Sequence, residues 1–282
     1  MTDNIVLKIE NVSYTYPTGA TALENVSFEI REQEFVAIIG QNGAGKSTLL
    51  KNITGLLTPT EGNVYINGQN TRDMSVAAIS KQVGFVLQNP DRQLFANTVF
   101  DEVAFSLRNA KVAEAEIKQR VMQTLESVDL ADKSEEFPPA LSKGDRAKVV
   151  VASVIVMNTG IIILDEPTSG QDYKGCYQIM NIAKRLNAEG RTIIFVTHHM
   201  PLVTEFSERT LVMTRKHVFL DGPSHDVFQH EQELATTNIR PPQITQFGEK
   251  LKNVIPLSGT MLSVEELGSE LILQKQRGSR SN

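Results

Sequence analysis

Gly40-Gln41-Asn42-Gly43-Ala44-Gly45-Lys46-Ser47 lies between the apolar run Phe35–Ile39 and the apolar residues Leu49 and Leu50. The stretch fits the pattern G-x-x-x-x-G-K-[ST], in which the backbone N–H groups of a glycine-rich loop surround phosphate groups. The apolar residues on either side predict a buried strand before this phosphate loop (residues 40–47) and a helix that begins near Lys46. We expect Lys46 to reach the outer phosphates and Ser47 to offer its hydroxyl to Mg2+. The stretch therefore predicts a nucleoside triphosphate site.

The composition is that of an ordinary folded protein. Of the 282 residues, 40% are hydrophobic and 22% are charged, which argues against disorder. The formal net charge of −5 gives no overall cationic field, so nucleic acid is not an expected partner. The apolar region 149–164 is interrupted by Asn158-Thr159-Gly160, and neither half approaches the roughly 20 residues that cross a bilayer. The single cysteine, Cys176, and the lack of a basic and apolar leader after Met1 favour a reducing cytosol.

Apolar residues alternate in two segments ahead of the phosphate loop, Val6–Glu10 and Val26–Ile30. Because alternation is typical of half-exposed strands, these segments predict an antiparallel edge. The dipeptide Asn67-Gly68 after Val64–Ile66 predicts a tight hairpin turn. Val83–Leu87 is the next candidate core strand.

From about residue 89 to residue 158 the apolar spacing changes to that of helices, which predicts a mostly helical insertion. The residues that carry this spacing are Ile117, Val121, Leu125 and Val128. The apolar run Ile161–Leu164, a helical pattern that ends at Gly190, and Thr192–Val196 then predict the strand, helix and strand of a parallel α/β sheet. From Pro223 onward the pattern is less regular, and we expect residues 277–282 to be frayed.

Two acids, Asp165 and Glu166, directly follow the apolar run Ile161–Leu164. The carboxyl ends of parallel strands are where open α/β sheets bind ligands. We expect Asp165 to hold Mg2+ together with Ser47, and Glu166 to point at the water that attacks the terminal phosphate. An acid pair alone is also compatible with a cap on the sheet, and the phosphate loop favours the catalytic interpretation.

The order of these motifs resembles that of the ATP-binding-cassette (ABC) ATPases, because Leu141–Asp145 lies where that family carries its signature sequence. Other motifs match as well: Gln88 matches the Q-loop glutamine, Ser169-Gly170-Gln171-Asp172 the D-loop, His198 the switch histidine, and Tyr16 the aromatic that stacks on adenine. The resemblance implies ATP binding by Tyr16, residues 40–47, Thr48 and Gln88, catalysis by Glu166 and His198, and Mg2+ ligation by Ser47, Gln88 and Asp165.

Several of these residues also have a structural interpretation. Tyr16 fits a simple edge-strand aromatic, and Tyr14 is an alternative stacking residue. His198 ends an apolar strand, where a hydrogen-bonded core histidine is common. Gln88 is compatible with a plain surface amide. The surrounding motifs favour the functional interpretation in each case.

The signature departs from the family, which usually has glycine at the place of Lys143 and glutamine at the place of Asp145. Ser142 and Gly144 are retained, and Ser142 can cap a helix whose N-terminal dipole faces the terminal phosphate of ATP on the opposite subunit. Asp145 puts a negative charge near that anion, and we expect Lys143 and Arg146 to offset it. The motif either remains competent or completes a slow, mainly structural site.

Because the phosphate loop and the signature of one ABC ATPase act on different ATP molecules, the resemblance implies a head-to-tail dimer with a second ABC ATPase, homologous or identical. The segments 88–95, 98–105, 240–245 and 263–267 resemble those of energy-coupling-factor (ECF) transporter ATPases. This resemblance implies a peripheral ATPase on the cytoplasmic face of the cell membrane. It also implies two membrane partners, a transmembrane coupling protein and a substrate-binding subunit, that import a vitamin or a transition-metal ion.

An apolar segment follows Gln88 and contains Leu94, Phe95, Val99 and Phe105. These residues are candidates for a groove that accepts a helix of the membrane partner. Equally, they are candidates for the core of the insertion itself. We expect Gln93 and Asn97 to be exposed.

The predicted fold is α/β, with a P-loop RecA-like core, an antiparallel β edge, a helical insertion at about 89–159 and a small C-terminal extension. Residues 1–222 form the predicted ABC nucleotide-binding domain and residues 223–282 the extension with its frayed tail. The predicted function is ATP hydrolysis that powers an ECF-type importer. One alternative is a nucleotide-dependent structural clamp in an asymmetric ATPase heterodimer. Another is a soluble ABC protein that acts on DNA or ribosomes, which the acidic composition disfavours.

Overall fold

The structure, a computed structural model, describes residues 4–89, 93–167 and 169–278. These residues form two β-sheets and a set of helices. The strands are β1 (Ile5–Thr15), β2 (Thr21–Arg31), β3 (Phe35–Gly40), β4 (Glu61–Ile66), β5 (Gln69–Asn70), β6 (Val83–Val86), β7 (Ile161–Asp165), β8 (Thr192–Val196), β9 (Arg209–Thr214) and β10 (His217–Pro223).

The larger sheet has the order β10-β9-β3-β8-β7-β6, and its strands are parallel except for the antiparallel pair β9 and β10. The smaller sheet is antiparallel and has the order β2-β1-β4-β5. Asn67 and Gly68 both have positive φ angles in the two-residue turn between β4 and β5, as the hairpin prediction requires. The predicted α/β fold with an antiparallel edge is confirmed.

Strand β3 lies in the middle of the larger sheet and is buried along its whole length. Its side chains alternate between two hydrophobic cores, as the two-residue period of a strand dictates. Phe35, Ala37 and Ile39 pack into a core formed with the helices, whereas Val36 and Ile38 pack into a core shared with the smaller sheet. The phosphate loop therefore leaves a strand that is fixed from both faces.

The helices cover the larger sheet and form the segment between β6 and β7. They are α1 (Lys46–Ile53), α2 (Val76–Ile79), α3 (Val99–Asn109), α4 (Glu114–Ser127), α5 (Lys143–Ile155), α6 (Tyr173–Ala188), α7 (Met200–Phe206), α8 (Ser224–Gln229), α9 (Glu231–Thr236), α10 (Gln243–Leu251) and α11 (Val264–Gly278). Helices α3, α4 and α5 lie in the predicted insertion. Ile117, Val121 and Leu125 are buried on one face of α4, as their spacing predicts.

The chain after Pro223 begins with helices that pack against the main core. Phe228, Leu234 and Ile239 are buried in the same core as the helical face of β3. Helix α11 continues through Gly278, so the first two residues of the tail predicted to fray are helical, and residues 279–282 lie outside the described part. None of the helices in the described ranges has the length and apolarity that a membrane span requires.

Candidate nucleotide-binding and catalytic site

The phosphate loop connects the end of β3 to the start of α1. Gly40 is required by a close backbone contact, because a Cβ at this position would collide with the carbonyl oxygen of Met213. Gly45 also has a φ of 103°, a conformation that side chains disfavour. Asn42 and Gly43 are exposed at the tip of the loop. The loop is thus a tight backbone turn that presents the N-terminal end of α1 to a ligand.

Lys46 closes the loop in this structure. Its Nζ donates to the carbonyl oxygens of Gly40 at 2.7 Å and Gln41 at 3.0 Å. Burial lowers the pKa of Lys46, while the charges of Glu166 and Asp165 act in the opposite direction. The ammonium therefore lies at the centre of the loop, near two carboxylates.

Asp165 ends strand β7 and is buried. Burial and the neighbouring Glu166 raise the pKa of Asp165, and a hydrogen bond from the Ser47 hydroxyl and the charge of Lys46 act against this rise. Mg2+ prefers oxygen ligands and often binds through one or two carboxylates together with phosphates and water. The Ser47 hydroxyl and the Asp165 carboxylate, which already contact each other, fit such an ion.

Glu166 joins two other predicted site residues. Its Oε2 accepts a hydrogen bond from Nε2 of Gln88 at 2.6 Å, and its Oε1 lies 2.8 Å from Nε2 of His198. Glu166 has a φ of 47°, which is uncommon for a non-glycine residue, and its N–H donates to the carbonyl of Val196 at 3.0 Å. Strained backbone of this kind clusters at functional sites.

Sheet topology explains why these three residues meet. Gln88 follows β6, Glu166 follows β7 and His198 follows β8, and these strands are adjacent and parallel. Their carboxyl ends therefore lie side by side at one edge of the sheet. The structure brings together the glutamine, glutamate and histidine that the sequence had assigned to one site.

Tyr16 follows β1 and lies beside the helix that leaves the phosphate loop. Its hydroxyl oxygen is 2.9 Å from Oγ1 of Thr48, and its ring packs edge to face on Tyr14 with the centroids 4.9 Å apart. Tyr14 is only 8% exposed in the core between the sheets, whereas Tyr16 is partly open. Of the two tyrosines that the sequence left open, the geometry favours Tyr16 as the ring available to a base.

Ser142 caps helix α5, as predicted. Its Oγ accepts a hydrogen bond from the N–H of Asp145 at 3.1 Å and donates to Oδ2 of the same residue at 2.8 Å. Among the residues that the structure describes, the hydrogen-bond partners of Ser142–Asp145 include none from the phosphate loop. Within the described part of one chain, no hydrogen bond therefore joins the signature to the phosphate loop.

Asp145 is neutralised by a residue that the sequence interpretation missed. Nζ of Lys133 lies 2.8 Å from Oδ2 of Asp145. Although burial by itself raises the pKa of Asp145, the hydrogen bonds from Lys133 and Ser142 hold it below its ordinary value. The expectation that Lys143 and Arg146 offset this charge stays a prediction, and Lys133 pairs with Asp145 from the segment before the signature. Spacing gave no signal for this pair, since twelve residues separate its members.

The signature and the D-loop touch within the chain. The carbonyl of Lys143 accepts a hydrogen bond from Nε2 of Gln171 at 3.2 Å, and the Lys143 ammonium occupies the space that a side chain on Gly170 would need. Asp172 caps α6, because its Oδ1 accepts from the N–H of Gly175 at 2.7 Å.

The segment after Gln88 is divided between core and surface. Val99 is fully buried and Leu94 is partly buried against the core, whereas Phe95 is 64% and Phe105 46% exposed. Gln93 is half-buried, and so less exposed than expected, because its amide accepts from the N–H of Leu87 and donates to the carbonyl of Phe85. Asn97 is exposed, as expected. Residues 90–92 of this segment lie outside the described residues.

Comparison with known proteins identifies the family to which the chain belongs. The family model described as "ABC transporter" matches residues 23–169, just over half of the chain. The chain belongs to the ABC transporter family. The matched range includes the phosphate loop, the signature and the acid pair.

The ECF transporter ATPases are similar along the whole chain. The energy-coupling factor transporter ATP-binding protein EcfA2 of Caldanaerobacter subterraneus subsp. tengcongensis is 39% identical over 287 residues, covering 98% of this chain and 99% of the relative. A putative ABC transporter ATP-binding protein of the same organism is 41% identical over 266 residues, but the chain spans only 46% of its length. The chain is thus an ABC ATPase close to the ECF group.

Solved structures agree with this assignment. CbiO1 of Clostridium perfringens, described as part of the ABC transporter complex cbiONQ, is 34% identical with a TM-score of 0.76, covering 88% of this chain and all of that one. The cassette MJ0796, solved as a dimer in a post-hydrolysis state with ADP and Pi, is 32% identical with a TM-score of 0.70, covering 77% of this chain and 98% of that one. These neighbours confirm the fold of an ABC cassette.

Proposed function

We propose that this chain is the ATP-hydrolysing subunit of an ECF-type importer that takes up a vitamin or a transition-metal ion through membrane partners. The observation that carries the proposal is the Glu166 carboxylate, held between Gln88 and His198 beside the phosphate loop. The full-length similarity to EcfA2 supports the transporter class. The chain would be a peripheral subunit on the cytoplasmic face of the membrane, where it would contact the membrane partners.

In this proposal the phosphate loop and Lys46 bind the triphosphate, and Tyr16 packs against the base. Glu166 orients the attacking water and accepts its proton, while His198 holds the Glu166 carboxylate in place. Mg2+, bound through Ser47 and Asp165 with Gln88 nearby, would neutralise phosphate charge and fix phosphate geometry. Gln88 links this site to the segment that carries Phe95.

The second half of each nucleotide site comes from a partner ATPase, identical or homologous. The support is the separation of Ser142–Asp145 from the phosphate loop within one chain, and the dimeric state of MJ0796. Ser142 and the start of α5 would face the terminal phosphate bound by the partner, and Asp172 would lie at the contact between the subunits. Because Lys133 neutralises Asp145, the N-terminus of α5 carries no unpaired negative charge at this position of the unusual signature.

The proposed docking surface for the membrane coupling protein is the pair Phe95 and Phe105. Their rings meet edge to face with centroids 4.7 Å apart and are largely exposed. Ser106, the residue after Phe105 in the chain, lines a cleft of about 260 Å3 together with apolar side chains. Those side chains include Leu56, Val76, Phe85, Val154 and Met157. An amphipathic helix of the coupling protein would bury its apolar face here.

Glu102 fixes this docking surface, and the sequence interpretation had not singled it out. The residue is 5% exposed, and its Oε2 accepts hydrogen bonds from the N–H groups of Phe95 at 2.9 Å and Ala96 at 2.8 Å. Because the buried Glu102 carboxylate accepts from both backbone N–H groups, it holds the loop at Phe95 and Ala96 against α3. The position of Phe95 is therefore set by the same helix that carries Phe105.

The proposal is tested by purifying the tagged chain from membranes of the source cell in mild detergent and identifying its partners by mass. We expect a second ABC ATPase and two integral membrane proteins. Phe95→Asp should release the membrane proteins and retain the second ATPase, because it puts a charge in the apolar contact. Phe219→Asp, which changes an exposed phenylalanine on the edge strand β10, is the matched control and should retain all partners. Recovery without any membrane protein would contradict the transporter assignment.

A further inference from the structure

The phosphate loop is tied to the C-terminal part of the chain by a side chain. The Gln41 amide Nε2 donates a hydrogen bond to the backbone carbonyl of Thr237, across 196 residues of sequence. Gln41 is the second residue of the phosphate loop, and Thr237 directly follows helix α9. The contact joins the ligand-binding loop to a segment that the sequence had placed in a separate extension.

The carbonyl of Thr237 needs a donor from outside its own helix. It belongs to the last turn of α9, where backbone carbonyls have no partner within the helix. Thr237 is 1% exposed, so its carbonyl lies where an unpaired polar group is costly. Its own hydroxyl and N–H are engaged with the carbonyl of Leu234, at 2.7 and 2.9 Å. The Gln41 amide supplies the missing donor.

The segment 231–239 is anchored by the main core. Leu234 is fully buried and Ile239 is 7% exposed, and both pack in the core that also receives Phe35, Ala37 and Ile39 of β3. The Thr237 carbonyl is therefore fixed to the same strand that leads into the phosphate loop. Because both ends of the contact rest on one core, the hydrogen bond restrains the side chain of Gln41.

Gln41 also contacts the residue that meets the phosphates. Its backbone carbonyl accepts from Nζ of Lys46 at 3.0 Å and from the N–H of Ala44 at 3.1 Å. A triphosphate that draws the Lys46 ammonium toward itself changes the contacts of Gln41. That change reaches Thr237 through one side chain.

We propose that the segment 231–239 is a latch on the phosphate loop, and that Gln41 is the positioning residue through which nucleotide binding and the packing of this segment stabilise each other. Holding Gln41 in one conformation reduces the ordering that the loop undergoes when it binds phosphates. By thermodynamic reciprocity, nucleotide then stabilises the segment by the same factor. The latch rests on triphosphate binding at the phosphate loop and not on the membrane partners proposed above.

Hydrogen–deuterium exchange on the full chain, with and without Mg2+ and a non-hydrolysable ATP analogue, tests the latch. In the unaltered protein, amide exchange at 231–239 should slow when the analogue binds. Gln41→Met keeps the length of the side chain but removes the donor. It should abolish this nucleotide-dependent protection and weaken analogue binding about 2- to 10-fold, the value of one ordinary hydrogen bond.

Gln246→Met is the matched control, because Gln246 Nε2 donates to the backbone carbonyl of Pro241 at 2.7 Å within the C-terminal helices. This variant should keep both the analogue affinity and the protection at 231–239. Normal analogue binding with unchanged exchange at 231–239 in the unaltered protein overturns the latch, whether or not the Gln41 variant folds. Failure of the unaltered protein to bind the analogue overturns the triphosphate site and the latch together.

Discussion

The phosphate-loop side of this molecule and its signature side differ in how much of a site each one completes. On the phosphate-loop side, residues from four segments of the chain meet around Lys46 and Glu166. On the signature side, Ser142 and Asp145 are satisfied by each other and by Lys133. One side therefore gathers the residues proposed for hydrolysis, whereas the other is a capped helix end that is exposed at Ser142.

This difference indicates which of the two nucleotides each side would act on in the proposed dimer. Substitutions on the phosphate-loop side should act on the nucleotide that the same chain binds. Substitutions on the signature side should act on the nucleotide of the partner. Substitutions on one side at a time test this difference.

The largest effect is expected from Glu166→Gln. The amide cannot accept a proton from water, so steady-state ATP hydrolysis by the assembled complex should fall by about 10²- to 10⁴-fold, while ATP binding is kept. Phosphate release measures the first and equilibrium binding the second. Glu189→Gln, at an exposed position after α6, should leave both unchanged. Hydrolysis that survives in the Glu166 variant would show that another group acts as the base.

An intermediate effect is expected from Ser142→Ala. Loss of the cap and of one donor near a phosphate should lower hydrolysis about 10- to 100-fold. ATP binding to the altered chain itself should be unchanged, because its own phosphate loop is intact. Hydrolysis is measured in the dimer and binding in the separated chain.

Ser75→Ala is the matched control for this substitution, because Ser75 caps α2 in the same way and accepts from the N–H of Ala78 at 3.1 Å. It should leave hydrolysis close to normal. A Ser142 variant that loses ATP binding in the separated chain would falsify the assignment of the signature to the partner's nucleotide.

The smallest effect is expected from Lys133→Met, which removes the cationic partner of Asp145. Hydrolysis should fall by roughly 2- to 5-fold and become more sensitive to salt, because a carboxylate near an anion is repelled until ions screen it. Lys118→Met, on the exposed face of α4, is the control. Equal salt dependence in the two variants would argue that Asp145 does not face the nucleotide.

The pair of Lys133 and Asp145 also predicts how the free energy of unfolding depends on pH. The folded-state pKa of Asp145 lies below its ordinary value of 3.8, so the stabilisation from its ionised form is present above pH 3.8 and is lost as pH falls through the lower folded-state pKa. Urea unfolding of the Lys133 variant should therefore differ from that of the unaltered protein at neutral pH. The difference should vanish in acid.

The sequence predicted the site well where a motif lies at the end of a strand. Glu166 was assigned because it follows an apolar run, and Gln88 and His198 because they match motifs of the ABC ATPases, and adjacent parallel strands bring the three residues together. It failed where a contact depends on how loops pack. Lys133, Glu102 and Thr237 carry no periodic or motif signal, yet they neutralise Asp145, hold Phe95 and bind Gln41.

The sequence alone was enough to predict the class of fold, the phosphate loop and the acid pair at the carboxyl edge of the sheet, whereas Gln88 and His198 came from the resemblance to ABC ATPases. The first three features follow from hydrophobic period and local backbone requirements, which act over a few neighbouring residues. Only the tertiary structure decided that Tyr16 rather than Tyr14 is the more open ring, that Lys133 pairs with Asp145, and that the segment 231–239 touches the phosphate loop. Such contacts are selected by burial and by hydrogen-bond satisfaction between distant segments, and the chain acquires them only when it has packed.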